Sequence, residues 1–495
     1  MKSSFFTISI NDLKVSLRDL AGILQILAFV MLMPLFTTFF YSQTHTFEVR
    51  LLELLSFIIP SLLLYLMYLL FKRISITETS KTKHIMVTFA LTWLVIAFVG
   101  AIPFAVRGVF SNPLNCFFES MSGWTTTGFS MIEDIDGTAK DILFYRSLMQ
   151  GVGGLGVISL GLMVLLQGGS IGVGYSDVGV QRIKPGIKQT ITEAWKIYGL
   201  YILAGAVFLN IAGMGGFDAI NFSMTAVATG GFTTHSNAGF TGNFWIEAVL
   251  MTLMFLGMTS FIIHYRIFSG DKRVFNVTEF RYALLLIVAS VLIISLALMG
   301  RDVPGVDTSS SFDVLRKTSF FVISGMSTCG FNTVDYSVWP DFAKTFMVAL
   351  MYIGGMSSST AGGIRVVRFV IILKAIHYSL KKLVLPKSSV VVVKLDGRTL
   401  QEDIMTVVGY SAVYLFVAIS LSLVLMLLGY NAIDSILTIM SSMGNDGLGV
   451  ISGVSWYNMH PVGKTTIITA MWFGRIEIYA GLLILRSMLD KAKLI

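Results

Sequence analysis

The chain has 495 residues, 55% of them hydrophobic and only 13% charged, with a formal net charge of +8. A soluble domain carries about a quarter charged residues, so this composition excludes a soluble enzyme or binding module and indicates a polytopic membrane protein. Two cysteines, Cys116 and Cys329, exclude a disulfide framework and a cysteine-based metal cluster.

Hydrophobic runs predict crossings at 18–41, 51–71, 85–106, 143–167, 193–214, 244–268, 281–300, 342–373, 404–429 and 465–488. Each is near the ~20 residues that a bilayer core requires, and an even number puts both termini on one side. The first run is interrupted by Pro34 and has no small-residue cleavage site, so it reads as a retained anchor rather than a cleaved signal. With the termini inside, the inner segments hold 26 Lys and Arg, the outer ones nine, and Arg475 falls within the last span. That asymmetry predicts cytoplasmic termini. The basic charge is a topology signal, not a nucleic-acid footprint.

Four short apolar segments, about 113–124, 219–228, 313–327 and 433–443, lie between crossings and are too short to span. They read as re-entrant helices, with capping signals at Asn112-Pro113, Asp218, Asp313 and Asp434. Each runs into an x-Gly-Phe/Leu turn: MSGWTTTGFS, MTAVATGGFT, ISGMSTCGFN and MSSMGNDGLG. The turn glycines Gly128, Gly231, Gly330 and Gly447 are 103, 99 and 117 residues apart. Four residues before them stand Trp124, Val227, Met326 and Met443; seven before, Met121, Met224, Ile323 and Met440. One register kept four times predicts an all-α polytopic membrane protein with four pseudo-symmetric helix–re-entrant loop–helix repeats around one pore. Two leading helices occupy 1–80, and the repeats occupy 81–192, 193–278, 279–400 and 401–495.

Non-helical backbone at membrane depth is tolerated only when buried in protein or lining a water-filled cavity. A glycine there can take φ > 0, which lets consecutive carbonyls face one axis. The negative end of each re-entrant helix dipole favours a cation. The candidate ion-binding residues are therefore Thr126, Thr127, Gly128; Thr229, Gly230, Gly231; Thr328, Cys329, Gly330; and Asn445, Asp446, Gly447. A ring of such oxygens can replace an ion's water shell. The fourth turn departs from the rest, with Leu448 for phenylalanine and Asp446 before the glycine. Two readings of Asp446 are open: a charge near the ion path, or a carboxylate behind the ring held by backbone N–H groups. Glu119, inside the first re-entrant helix, is a further candidate for bonding backbone behind its turn.

The returning helix of the third repeat contains GGMSSSTAGG, residues 354–363. Each glycine in a helix interior costs about 1 kcal/mol against alanine, so Gly354, Gly355, Ser357, Ser358, Ser359, Thr360, Gly362 and Gly363 suit either a close helix contact or an unwound loop. Arg475, deep in the last span, must face a cavity or a partner, with Glu477 and Asp446 as candidate ion-pair acids. GVGGLGVISLG at 151–161 follows no strand of a βαβ unit and suggests close helix packing instead. His45, His84, His235, His264, His377 and His460 show no metal-ligand spacing. No nucleophile–base pair or phosphate loop is visible, and no cofactor is expected to be bound by this chain.

The four in-register turns resemble those of the Trk/Ktr/HKT superfamily of potassium transporters, whose fold looks like a channel tetramer fused into one chain. The likeness covers essentially 80–495, and the leading pair resembles the longer TrkH branch. It implies that the four glycines form a selectivity filter and that potassium is the transported ion, since a serine at the first glycine goes with sodium in plant-type members and this chain has Gly128. It implies that 354–363 gates the path and that Arg475 stands below the filter. It also implies a homodimer in the bacterial inner membrane and a cytoplasmic regulatory ring binding ATP or NAD, docked on the basic face around 374–398. Rival classes are the potassium-binding subunit of a P-type ATPase complex, a sodium-permeable relative, and an inverted-repeat symporter. The last is disfavoured because all four repeats begin inside.

Overall fold

The leading helices are fixed to each other and to the rest of the chain by a few polar contacts set among apolar ones. In the computed structural model, which describes residues 9–41, 47–166, 187–236, 242–301, 303–336, 339–386, 393–449, 455–476, 478 and 480–482, α1 (Ile10–Val30) begins on a capping box. The Ser9 hydroxyl accepts the Asp12 N–H at 3.1 Å and Asp12 accepts the Ser9 N–H at 2.9 Å. After a break that admits Pro34, α2 (Pro34–Tyr41) follows, and α3 (Phe47–Lys72) returns. The Ser61 hydroxyl donates to the Ala28 carbonyl at 2.7 Å, tying α3 to α1. Arg107, beyond the next span, pairs with Glu53 of α3 at 3.4 Å and with Asp141 at 3.0 Å.

Four units follow. The first comprises α4 (Thr82–Gly100), α5 (Ile102–Val106), α6 (Pro113–Trp124) and α7 (Lys140–Leu166). The second comprises α8 (Ile187–Ile211), α9 (Gly216–Val227), α10 (Phe244–Met258) and α11 (Phe261–Phe268). The third comprises α12 (Thr278–Leu298), α13 (Ser311–Ser327), α14 (Asp341–Ile353) and α15 (Val366–Val384). A two-residue hairpin, β1 (Lys394–Leu395) antiparallel to β2 (Arg398–Thr399), precedes the fourth: α16 (Gln401–Leu427), α17 (Ala432–Gly444) and α18 (Pro461–Arg475).

The re-entrant helices α6, α9, α13 and α17 have 12, 12, 17 and 13 residues. At 1.5 Å per residue they cannot cross a ~30 Å core. Asn112 caps α6 as expected, accepting the Leu114 N–H at 2.9 Å. The other three start earlier than the acids suggested. Their N-caps are Gly215, Ser310 and Asn431, and Asp218, Asp313 and Asp434 stand in the first turn. There a carboxylate still complements the positive end of the helix.

Each re-entrant helix packs on its own returning helix and on the preceding unit's: α9 on α7, α13 on α10, α17 on α14, and α6 on α18. The last contact closes the circle. Leu62, Leu203, Leu285 and Phe416, on α3, α8, α12 and α16, are among the apolar side chains left more than half exposed, as lipid-facing helices require.

Among the described residues, six helical stretches are long and apolar enough to cross a membrane: 10–41, 47–72, 83–106, 189–211, 278–298 and 404–427. Two expected spans are broken instead. The 244–268 segment bends by 102° between α10 and α11. Its break is at Thr259-Ser260, where the Thr259 hydroxyl turns back to the Phe255 carbonyl at 2.8 Å. The 342–373 segment is unwound from Gly354 to Arg365, between α14 and α15. The two breaks are bonded to each other: Phe261 N–H to the Ser358 carbonyl at 3.2 Å and Met356 N–H to the Met258 carbonyl at 2.9 Å.

Candidate functional site

Each re-entrant helix hands over to its turn through a left-handed residue. Thr126, Thr229, Thr328 and Asn445 have φ of 54°, 51°, 57° and 54°; Gly128, Gly231, Gly330 and Gly447 have φ of 94°, 75°, 87° and 87°. Sequence reasoning expects positive φ at the glycines only. Asparagine tolerates this region, but for β-branched threonine it is an outlier that surroundings must impose, at a cost of order 1–3 kcal/mol each.

The surroundings are the neighbouring turns. A Cβ on Gly128 would lie 2.3 Å from the Gly230 carbonyl oxygen, and one on Gly231 2.0 Å from that of Cys329. One on Gly330 would lie 1.9 Å from the Asp446 oxygen, and one on Gly447 2.3 Å from that of Thr127. Each turn therefore offers a main-chain oxygen to the adjacent turn's glycine, and the fourth offer returns to the first. All twelve predicted residues come together in this ring. Only the four glycines are partly exposed, whereas the two residues before each are buried.

Behind the ring the four quarters differ. Thr127 shares its hydroxyl with Thr125 at 2.8 Å and accepts from Asn445 Nδ2 at 3.1 Å. At Gly230 the room for a side chain is filled by Gln150 of α7. Its Nε2 donates to the Gly230 carbonyl at 2.6 Å and its Oε1 accepts the Phe232 N–H at 3.0 Å. The Cys329 thiol packs toward the Thr225 carbonyl at 3.9 Å. Asp446 occupies the same register, fully buried; among the described residues neither carboxylate oxygen has a close hydrogen-bond partner, and the Leu448 N–H faces it. Glu119 does bond backbone behind the ring, accepting the Met131 N–H at 2.6 Å. It is paired with Arg146 at 2.8 Å, whose guanidinium lies 4.0 Å from the Phe232 ring centroid and donates to the Thr233 carbonyl at 3.0 Å. Gln150 and Arg146 were not singled out in the sequence, because an isolated polar residue in an apolar run carries no periodic signal.

Gly153, Gly154 and Gly156 of the 151–161 run pack closely, as expected. A Cβ on Gly153 would meet the Trp124 carbonyl oxygen at 2.2 Å. Gly257 stands in the same way against the Val227 oxygen at 2.6 Å, and Gly474 against that of Met443 at 2.1 Å. The third unit has its interruption instead.

That interruption is a loop closed at its neck. Ile364 N–H bonds the Tyr352 carbonyl, Arg365 N–H that of Ile353, each at 2.9 Å, and Val366 N–H that of Gly355 at 3.0 Å. Gly354 takes φ 69° with ψ −157°, and a Cβ there would meet the Gly362 oxygen at 2.1 Å. The tip reaches the inner ends of the re-entrant helices. The Thr360 hydroxyl donates to the Val227 carbonyl at 3.0 Å, and Gly362 N–H donates to the Thr328 hydroxyl at 2.7 Å. Gly362 also abuts the Gly444 carbonyl, 1.8 Å from where its Cβ would be. Arg475 completes the circuit, donating to the Thr360 carbonyl at 3.3 Å and to the Gly153 carbonyl at 3.1 Å. Among the described residues it has no ion pair, and Glu477 lies outside them. Ser357, Ser358, Ser359 and Thr360 are all buried, so the loop is packed within the protein against the ends of the re-entrant helices.

Four inserted helices converging on a closed ring of main-chain oxygens define a membrane cation-transport protein assembled from four repeats in one chain. Comparison with known proteins agrees. The family model described as TrkH, cation transport protein, matches residues 53–495, and the chain belongs to the TrkH family. It is 33% identical to an uncharacterized cation transporter of Methanocaldococcus jannaschii, over 97% of each chain. It is 32% identical to the Trk system potassium uptake protein TrkH of Salmonella typhimurium, over 82% of this chain and 85% of that one. The crystal structure of the potassium transporter TrkH from Vibrio parahaemolyticus superposes with a TM-score of 0.84 at 26% identity, covering 96% of this chain and 98% of that one. The likeness thus extends into the leading helices, beyond the 80–495 expected.

Proposed function

We propose that this chain takes up potassium through the ring of turns, as a channel-like pore in the bacterial inner membrane with both termini cytoplasmic. The observation that carries this reading is the closed cycle of four glycine–carbonyl contacts, each between 1.9 and 2.3 Å from a would-be Cβ. Four oxygens held by main chain in one ring suit a dehydrated monovalent cation, and relatives carry the name potassium uptake protein. In this reading Thr126–Gly128, Thr229–Gly231, Thr328–Gly330 and Asn445–Gly447 are the filter. The repeat boundaries are 81–192, 193–278, 279–400 and 401–495, behind the leading pair 1–80.

The loop 354–363 and Arg475 form the gate, closed in this conformation: the loop is packed against the ends of the re-entrant helices, and Arg475 places a positive charge against it. A cytoplasmic ATP- or NAD-binding ring opens it from the basic face, and the chain works as a homodimer. Potassium uptake in potassium-transport-deficient cells tests the reading, with and without a co-expressed regulatory subunit. Uptake selective over sodium supports it, and Gly128→Ser, which places a side chain against the Gly230 carbonyl, should weaken that selectivity. No uptake under either condition overturns it. Dependence on a co-purifying phosphorylated ATPase subunit would reassign the chain to a pump complex.

A further inference from the structure

The interrupted segment is gripped by a carboxylate outside the candidate site. Glu279, in the first turn of α12, is buried, and its Oε1 accepts both the Ser357 N–H at 2.7 Å and the Ser357 hydroxyl at 3.0 Å. The same carboxylate faces the Val367 N–H in the first turn of α15. One acid thus engages the chain on both sides of the loop, before its tip and after its neck. An unwound segment leaves such N–H groups without helical partners, and a carboxylate, which only accepts, is the strongest acceptor available to them.

Glu279 is joined to the basic face through the residue before it. Thr278 donates from its hydroxyl to Asp396 Oδ1, and its N–H lies 3.4 Å from Asp396 Oδ2. Asp396 and Gly397 form the turn of the β1–β2 hairpin, with φ of 47° and 88°, the two left-handed residues that a tight hairpin needs. The hairpin is seated firmly. Leu395 and Leu400 are buried, Leu400 N–H bonds the Val393 carbonyl at 2.9 Å, and Lys374 donates to the Lys394 carbonyl at 2.5 Å.

We infer that Glu279 is a positioning residue that latches 354–363 shut, and that the 394–399 hairpin controls this latch through Asp396 and Thr278. Because Thr278 and Glu279 are consecutive in one helical turn, a displacement of the hairpin carries the acid with it and withdraws both hydrogen bonds from Ser357. This rests on reading 354–363 as the gate.

The test uses the full chain in phosphatidylethanolamine–phosphatidylglycerol vesicles, with rubidium uptake measured in the absence of any partner. Glu279→Ala should raise uptake several-fold, Glu279→Gln, which keeps an acceptor, should stay near the parent, and Ser357→Ala should give a smaller rise. Asp396→Ala, remote from the loop, should also raise uptake, and combined with Glu279→Ala should add nothing, because both act on one contact. A Glu279→Ala protein that unfolds at the parent's temperature without raised uptake overturns the latch, as does an Asp396→Ala effect that adds independently. Deleting Ser357–Ser359 separates the two readings. Raised uptake there with unchanged Glu279→Ala uptake rejects the latch alone, and unchanged uptake rejects the gate itself.

Discussion

At Gly330 the third turn brings its backbone to within 1.9 Å, measured from a would-be Cβ, of the next turn's carbonyl; at Gly362 the interrupted segment comes within 1.8 Å of Gly444. The same device, glycine without a Cβ, serves both regions. In the ring it is repeated in every quarter, and the four glycines stay partly exposed. In the interruption it occurs at Gly354, against the Gly362 oxygen, and at Gly362, against that of Gly444, and the serines and threonine between them are buried. In the reading proposed above, the repeated contact frames the path and the loop closes it. Backbone symmetry and side-chain asymmetry are therefore not in conflict here: the first belongs to the ring, the second to the residues packed against it.

Four experiments would break or sharpen that contrast. The largest effect is expected behind the ring. Arg146→Met leaves Glu119 buried without its counter-charge, and removing one partner of a buried pair costs about 3–5 kcal/mol. A drop in thermal unfolding temperature should show it; an unchanged temperature would mean that the ring does not depend on this pair. Next, alanine at Gly330 and at Gly354 should act in opposite directions on rubidium uptake. Each is strained by positive φ, at about 1–3 kcal/mol. The ring variant should lose roughly tenfold or more, whereas the loop variant should gain. Loss at both positions would erase the distinction.

Arg475→Gln should raise uptake several-fold by releasing Thr360 and removing a charge from the base of the ring. Unchanged conductance and ion occupancy would exclude that role. The smallest effect concerns the outer loops. His235 lies 2.9 Å from Asp136 and 3.3 Å from Asp218. Partial burial opposes its protonation, but the hydrogen bonds to the two acids outweigh this and raise its pKa above the ordinary 6.5. The tether between these loops is therefore complete below pH about 6.5 and is lost as pH rises through the raised value. Hydrogen exchange around 232–236 should quicken over that window in the parent and stay flat in His235→Gln.

Much of this architecture is legible from residue spacing. The re-entrant helices, their order and the twelve ring residues follow from one register kept four times, because a repeated structural unit repeats its apolar and glycine positions. The α6 boundaries, 113–124, are read correctly since Asn112-Pro113 is an unambiguous start. The other starts are displaced by one to three residues, because an acid three positions into a helix and an acid at its cap look alike in sequence. The bend at 258–261 has no proline to mark it. It becomes visible only when Ser358, nearly a hundred residues on, is seen bonded to Phe261.

By itself, then, the sequence determined that this chain crosses a membrane, repeats one motif four times and interrupts one returning helix with glycine and serine. These are properties of composition and period, which local physics reads directly. Tertiary structure alone decided that Thr126, Thr229 and Thr328 adopt left-handed backbone, that Gln150 and Arg146 bond the turn around Gly231, and that Arg475 and Glu279 bond the loop at Thr360 and Ser357. Each of those depends on a main-chain atom delivered from a distant segment, and no local preference specifies where such an atom will arrive.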